Sequence, residues 1–517
     1  MKKLLFVIFL LSTANAYAAQ VRDISNTNSS AISVKEIPKI NISDISIKEI
    51  AKTNFPASSC ESRVQEGFAK RFYNTYKEHL KYTGENVAEL EHNSDAVSPP
   101  LSSPPFPSAT WGMGGTTPIG YADNTIAPIM DTLYCGENGQ KIKDSRIKLY
   151  GWVNAGANIS SSESHYDIAS GTGGNYPAAY YPYPNQLTLH QVALYLERVP
   201  DTVQRDHVDY GFRVAGLYGS DYKYTYSNKL LSNQYIKDHK KYGFDPVMFY
   251  GDLYIPQVAK GMNIRVGRYI SIPDIEAQLA PNNYAYSHSM LYSFDPFTRE
   301  GVVTSIKLNK NWTAQFELSV GSDITIFDKR NRKLTPGACL NWTSDSGNDN
   351  FYPCANGIND GKYAYNNPQM LVATWYHKFN EKWHMATESY YMWQRDVPNV
   401  DDANAPPLIT GTTGAHCKSG YATCRATVFA GLNYLVYQIA PKDYITLRNE
   451  FFKDNHGQRT GYKTLYTEHM ISWTHWIGDV VTVRPEFRFD HSYDLKAYDG
   501  GRKSSQYVLA TDVIVHF

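Results

Sequence analysis

From Arg146 onward the chain alternates apolar and polar residues in long runs. The clearest places Val481, Val483, Pro485, Phe487 and Phe489 on one side and Thr482, Arg484, Glu486, Arg488 and Asp490 on the other. A period of two is that of a β-strand, whose successive side chains point to opposite faces. The same pattern sets Trp312, Ala314, Phe316, Leu318 and Val320 against Thr313, Gln315, Glu317 and Ser319. Met262, Ile264 and Val266 likewise oppose Asn263 and Arg265, and Val208, Tyr210, Phe212 and Val214 oppose Asp209, Gly211 and Arg213. Strands of soluble proteins usually stop after about five or six residues, whereas these reach the roughly nine to eleven that a tilted membrane strand needs. One face suits lipid and the other water.

Connector lengths alternate as well. Tight connectors fall at 257–261, 309–311, 380–382, 441–443 and 478–479, and long ones at 159–186, 220–245, 271–299, 322–366 and 397–423. Short turns on one side and long loops on the other are the asymmetry of an outer-membrane barrel, with short turns in the periplasm. The spacing predicts an all-β, transmembrane antiparallel β-barrel of about fourteen strands, an even number between about 12 and 18 that leaves both termini periplasmic. Its last strand, 507–517, has Tyr507, Leu509, Val513, Val515 and Phe517 on one face, and Val508, Ala510, Asp512, Ile514 and His516 on the other. A terminal aromatic after such alternation resembles the signal read by the outer-membrane assembly machinery, so Phe517 is taken as that signal.

The chain before Arg146 reads differently. Lys2 and Lys3, an apolar run from Leu4 to Leu11 and the Ala16-Tyr17-Ala18 site describe a cleaved secretory signal peptide over residues 1–18. That run is far shorter than the roughly 20 residues of a membrane helix. Residues 19–97 form an extension outside the barrel, in which Val64, Phe68, Phe72, Tyr76 and Leu80 recur every four residues and predict one short amphipathic helix. Residues 98–145 form a Pro- and Gly-rich connector whose SPPLSSPPFP stretch (98–107) suits a stiff polyproline spacer, and 146–517 form the barrel.

Composition agrees with a membrane barrel. The chain has 41 Tyr, 9 Trp and 21 Phe, residues that gather where hydrocarbon meets water. Its 50 Lys and Arg match 50 Asp and Glu, and two of the basic residues leave with the signal peptide, so the balance offers nothing to a nucleic acid. Of six cysteines in an exported chain, Cys339 with Cys354 and Cys417 with Cys424 lie close together in polar stretches. Each pair is expected to pin a loop as a disulfide, with Cys60 and Cys135 as a third possible pair. None has the spacing and histidines of a zinc site, and neither metal nor cofactor is expected.

On this register the lumen face carries Arg213, Arg265, Lys307, Arg448, Arg484 and Arg488. Its acidic groups are Asp209, Asp252, Glu317, Glu388, Glu450, Glu468, Glu486 and Asp490. Interspersed signs imply weak charge selectivity, or cross-strand pairing within the wall. The third long loop, 271–299, with Asp274, Glu276, His288 and Asp295, is the candidate constriction, expected to face Arg265. Ser287 and His288 are adjacent, so in an extended segment they point apart and cannot act as nucleophile and base. Gly112-Met113-Gly114-Gly115 lacks the strand, helix and Lys of a phosphate loop.

Several phrases resemble the OmpL-like β-barrel porin family: SPPFPSATW (103–111), DSRIKLYGWVNAG (144–156), ERVPDTVQRDHVDYGFRVAGLYGSDYKYT (197–225), RVGRYISIPDIEAQLAPNNYAYSHS (265–289), YYMWQRD (390–396) and GQRTGY (457–462). The resemblance runs from about Ser98 to Phe517 and implies an outer-membrane pore without catalytic residues. The leading expectation is a porin-like channel passing small hydrophilic solutes by diffusion. Its other partners would be outer-membrane lipid, the assembly machinery and, as an open question of assembly, two further copies in a homotrimer. Two alternatives stand beside it: a binding or adhesion barrel with a closed lumen, and an outer-membrane hydrolase, which would need a Ser/His/acid set that the sequence does not offer.

Overall fold

The computed structural model describes residues 63–83, 91–97 and 116–517, apart from 124, 126, 179 and 273. Its centre is a closed antiparallel barrel of sixteen strands in sequence order. They are β1 (Lys148–Ser160), β2 (Leu187–Arg198), β3 (Asp209–Gly219), β4 (Gly243–Ile255), β5 (Met262–Ile270), β6 (Thr298–Lys307), β7 (Trp312–Ser322) and β8 (Thr335–Thr343). The circuit continues with β9 (Asp349–Asn356), β10 (Gln369–Lys378), β11 (Trp383–Pro398), β12 (Thr423–Ala440), β13 (Asp443–Asp454), β14 (Leu465–Ile477), β15 (Val481–Ser492) and β16 (Ser505–His516). Closure is made by β1 against β16, from Trp152 opposite His516 to Ser160 opposite Val508. A closed wall leaves no strand edge, so every ladder group finds a partner without water, as hydrocarbon demands.

Sixteen strands lie within the expected 12 to 18 and exceed fourteen by one hairpin, β8–β9. It lies in the stretch 322–366, which reads from the sequence as one long loop. Gly337, Pro336, Asn341, Pro353 and Asn356 interrupt the alternation there, yet β8 pairs with β7 from Thr335 opposite Ser319 to Trp342 opposite Trp312. The expectation that Cys339 and Cys354 pin a loop is therefore corrected. They stand opposite each other on β8 and β9, and their disulfide joins two wall strands. Cys417–Cys424 does bridge the outer loop before β12. Cys135 is disulfide-bonded, and Cys60 lies outside the described residues.

Alternation sorts the wall into two faces. Phe316, Leu318, Phe487 and Leu509 are exposed on the outside, whereas Gln315, Glu317, Arg488 and Ala510 are buried inside. Outward aromatics gather near both strand ends. Trp383 stacks on Tyr437 at 4.5 Å beside the tight turns, and Phe489 lies 4.9 Å from Tyr507 towards the long loops. Such belts sit at the two membrane interfaces. Tight connections at 308–311, 344–348, 379–382, 441–442 and 478–480 mark the periplasmic end, and the long loops 161–186, 220–242, 271–297 and 399–422 mark the outer end.

Before the barrel, α1 (Phe68–His79) occupies the stretch expected to be helical. Two further short helices, α2 (Pro128–Tyr134) and α3 (Gly139–Ser145), lie where a connector alone was expected. The signal peptide, the polyproline stretch and the glycines at 112–115 fall outside the described residues. Helix α1 docks on the periplasmic rim. His79 bonds Asp479 in the β14–β15 turn at 2.8 Å and Asp131 of α2 at 3.0 Å, and Lys442 donates to the Tyr82 carbonyl. Gly478, with φ of 67°, passes so close to the His79 carbonyl that any side chain there would collide. A second attachment joins Asn93 and Pro118 to the β2–β3 turn through Val203 and Thr202.

Burial alone would lower the His79 pKa, but the hydrogen bonds to Asp131 and Asp479 outweigh it and raise the value to about 9. A group raised in the folded state stabilises docking fully below its unfolded pKa of about 6.5 and stops doing so as pH rises through about 9, a contribution of about 3 kcal/mol. Amide exchange in residues 68–79, corrected for base catalysis, should therefore accelerate between about pH 6.5 and 9. Unchanged protection across that interval would show that His79 does not hold the helix.

Candidate functional site

The third outer loop, residues 271–297 between β5 and β6, turns into the barrel and is buried over almost its whole length. It is called L3 below. The wall holds it mainly by its main chain. Arg448 Nη1 donates to the Ser287 carbonyl at 2.6 Å, Arg488 Nη1 to that of His288 at 2.6 Å, and Arg484 Nη1 to those of Ala280 and Asn283 at 2.9 and 2.8 Å. Carboxylates take the amides. Glu388 accepts from Ile275 at 2.9 Å, Glu486 from Ser287 at 2.9 Å, and Glu450 from Met290 and Leu291 at 2.7 and 3.1 Å.

Each of the three guanidiniums also keeps a carboxylate of the wall. Arg448 Nε lies 2.9 Å from Glu468, Arg484 Nε 2.9 Å from Asp512, and Arg488 Nε 2.9 Å from Asp490. Arg448 and Arg488 are 0% exposed, and charges so deep persist only when paired and fully hydrogen-bonded. Each arginine is thus two-sided, with one edge on the wall and the other on L3. This geometry needs a planar fork of donors, which lysine lacks.

The remaining lumen groups face one another. Arg265 forms a two-point contact with Asp252 at 2.9 Å and donates to Thr117 at 2.8 Å. Glu317 accepts from Tyr269 at 3.0 Å, Arg213 bonds Glu197 at 2.6 Å, and Asp209 pairs with Arg146 at 2.9 Å and Arg198 at 2.8 Å. Lys307 is buried as well. Among the described residues, Arg448, Arg484, Arg488 and Arg459 donate to L3 carbonyls, and the partners of Arg265 include Asp252 and Thr117.

Within L3 the acidic and imidazole groups brace the loop itself. Glu276 accepts from the Ser289 amide at 3.1 Å and from Tyr434 at 2.9 Å, and His288 Nε2 bonds the Ala277 carbonyl at 2.8 Å while its ring stacks on Tyr180. Asp274 is buried next to Asp295 and Glu388. Ser287 Oγ accepts from Arg448 at 2.8 Å. Ser287 and His288 therefore hold the loop in place and do not meet as a catalytic pair.

Two contacts escaped the sequence reading. His190 and Gln191 are adjacent on β2, yet both are buried against L3: His190 bonds Tyr286 at 2.6 Å, and Gln191 donates to the Gln278 carbonyl at 2.7 Å. The ladder slips here, with Asn154 opposite Gln191 but Ala155 opposite Leu189. A bulge thus turns His190 to the same side as its neighbour. Strict alternation cannot reveal it.

A membrane-length sixteen-stranded barrel with its third outer loop gripped inside the lumen belongs to the class of porin-like channels of the Gram-negative outer membrane. A family model described as "Putative beta-barrel porin-2, OmpL-like" matches residues 146–517, and the chain belongs to that family. No curated protein matches the chain. Among solved structures, an anion-selective porin from Comamonas acidovorans is similar at 9% identity and a TM-score of 0.47, covering 72% of this chain and 99% of that one. The outer membrane channel DcaP of Acinetobacter baumannii is similar at 11% identity and a TM-score of 0.43, covering 72% and 97%. OmpT of Vibrio cholerae lacking its loop L8 is similar at 8% identity and a TM-score of 0.44, covering 72% and 99%.

Proposed function

We propose that this channel passes small hydrophilic solutes by passive diffusion, without a cofactor, and that L3 sets the width of the path. The supporting observation is the wall's two-edged grip. The arginines hold wall carboxylates on the edge turned away from L3, so a shift of the loop leaves these cations paired, while Glu388, Glu450 and Glu486 would exchange L3 amides for water. Asp209, Arg213, Asp252, Arg265, Lys307 and Glu317 would line the part of the path away from L3. Their mixed signs favour weak charge selectivity. No enzymatic role is assigned, since Ser287 and His288 serve L3.

Purified protein in planar lipid bilayers should give discrete current steps. A specific observation favours the other reading, a binding barrel with a closed lumen: the charged lumen groups are almost fully buried with L3 in place. Absence of steps above the detergent control would select that reading. The outward apolar face would meet lipid, β16 with Phe517 would meet the assembly machinery, and a homotrimer is the proposed assembly, to be checked by chemical cross-linking in native outer membranes.

A further inference from the structure

Above L3, at the outer mouth, lies a half-open cavity of about 280 Å³. It is built from several outer loops, with Phe294 of L3 at one wall. Its charges are unlike those of the lumen. Each lumen arginine that grips L3 has a carboxylate within hydrogen-bond distance. The two cations lining the cavity have none among the described residues. Arg459 donates through Nε to the Phe294 carbonyl at 2.8 Å and through Nη1 to the Asn366 amide oxygen at 3.0 Å, both neutral partners. Lys223 is 5% exposed and its Nζ has no hydrogen-bond partner. It lies among the rings of Tyr166, Tyr183 and Tyr224, about 5 Å from each centroid.

The cavity's one acid, Asp323, is already occupied. It accepts from the Thr298 amide and hydroxyl at 2.8 Å each, and from the Asn366 side chain. These donors are neutral, as are the partners of Arg459, so the described lining sets two basic groups against one carboxylate, with burial lowering the Lys223 pKa to about 7. The lining also includes Tyr226, Tyr235 and Tyr365, and Thr412 and Thr413, whose hydroxyls donate to the Ile409 and Gln458 carbonyls and can still accept. Aromatic faces pack on the C–H faces of a pyranose ring, while hydroxyls both donate and accept.

We propose that this vestibule is a binding site for a single hydroxylated carboxylate of about sugar size, a sugar acid, whose carboxylate meets Arg459 and Lys223. The site depends on the channel reading only for its place on the solute's route. Calorimetric titration of the full-length protein in detergent tests it without any need for conduction. D-glucuronate should bind at least tenfold more tightly than D-glucose, which lacks the charge, and than acetate, which lacks the ring. Arg459→Gln and, independently, Lys223→Gln should each remove most of that preference, and Arg459→Lys should restore part of it. Folding of each variant is read from its heat-modifiable gel shift. Equal binding of glucuronate and glucose, equal binding of glucuronate and acetate, or undiminished preference in both Gln variants would overturn the proposal.

Discussion

Excision of residues 282–289 should raise the single-channel conductance several-fold while leaving the barrel folded. These residues supply Asn283, Ser287 and His288, whose carbonyls face Arg484, Arg448 and Arg488, and the ring of Tyr286 that meets His190. A wall of sixteen strands encloses an aqueous channel once no loop fills it. The excision exposes the loop-facing edges of the arginines, which exchange a main-chain acceptor for water. Such an exchange costs only about 0.5–1.5 kcal/mol per hydrogen bond. The wall-facing edges keep Glu468, Asp512 and Asp490. Conductance equal to that of the intact protein in bilayers would contradict the assignment of L3 as the constriction.

Loss of Phe517 should act on assembly and not on permeation. Its amide donates to the Gly151 carbonyl at 2.9 Å, and the Gly151 amide donates to the Phe517 carbonyl at 3.2 Å, so the last residue makes the final rung of the β1–β16 seam. The aromatic ring lies over Gly151, where any side chain would collide with it. Deleting Phe517 removes the rung and the ring. Replacing Gly151 by Val disturbs the same seam from the opposite strand and also strikes the Ala193 carbonyl of β2. Both changes should lower the amount of heat-modifiable barrel in the outer membrane several-fold, because a few kcal/mol of lost seam shifts abundance by that much. The channels that do assemble should conduct normally. Normal amounts of both variants would remove Phe517 from the assembly step.

Strand identity was legible wherever a lipid-facing side chain had to be apolar and its neighbour polar, as in β15 and β7. The register of Arg484, Glu486 and Arg488 followed directly, since a slip of one residue would place an arginine in hydrocarbon at a cost of about 2–4 kcal/mol. The β8–β9 hairpin was not legible, because Pro336, Gly337, Asn341 and Pro353 weaken the alternation and only pairing with β7 and β10 defines it. Helices α2 and α3, of seven residues each, are too short for a period to emerge. Within the site, the charged face could be read, but its partners could not. A carboxylate at position 450 looks the same in sequence whether it meets water or the amides of Met290 and Leu291. Only the path of L3 decides between them.

The wall's charged groups address L3 largely through carbonyls and amides, atoms that nearly every residue type possesses. The barrel therefore behaves as a socket that reads the route of an inserted segment and is nearly blind to its spelling. On the proposed role of L3 as the constriction, side chains of the loop that the wall does not bond could be exchanged without altering the main-chain grip, so the filter would diversify while its frame stays fixed.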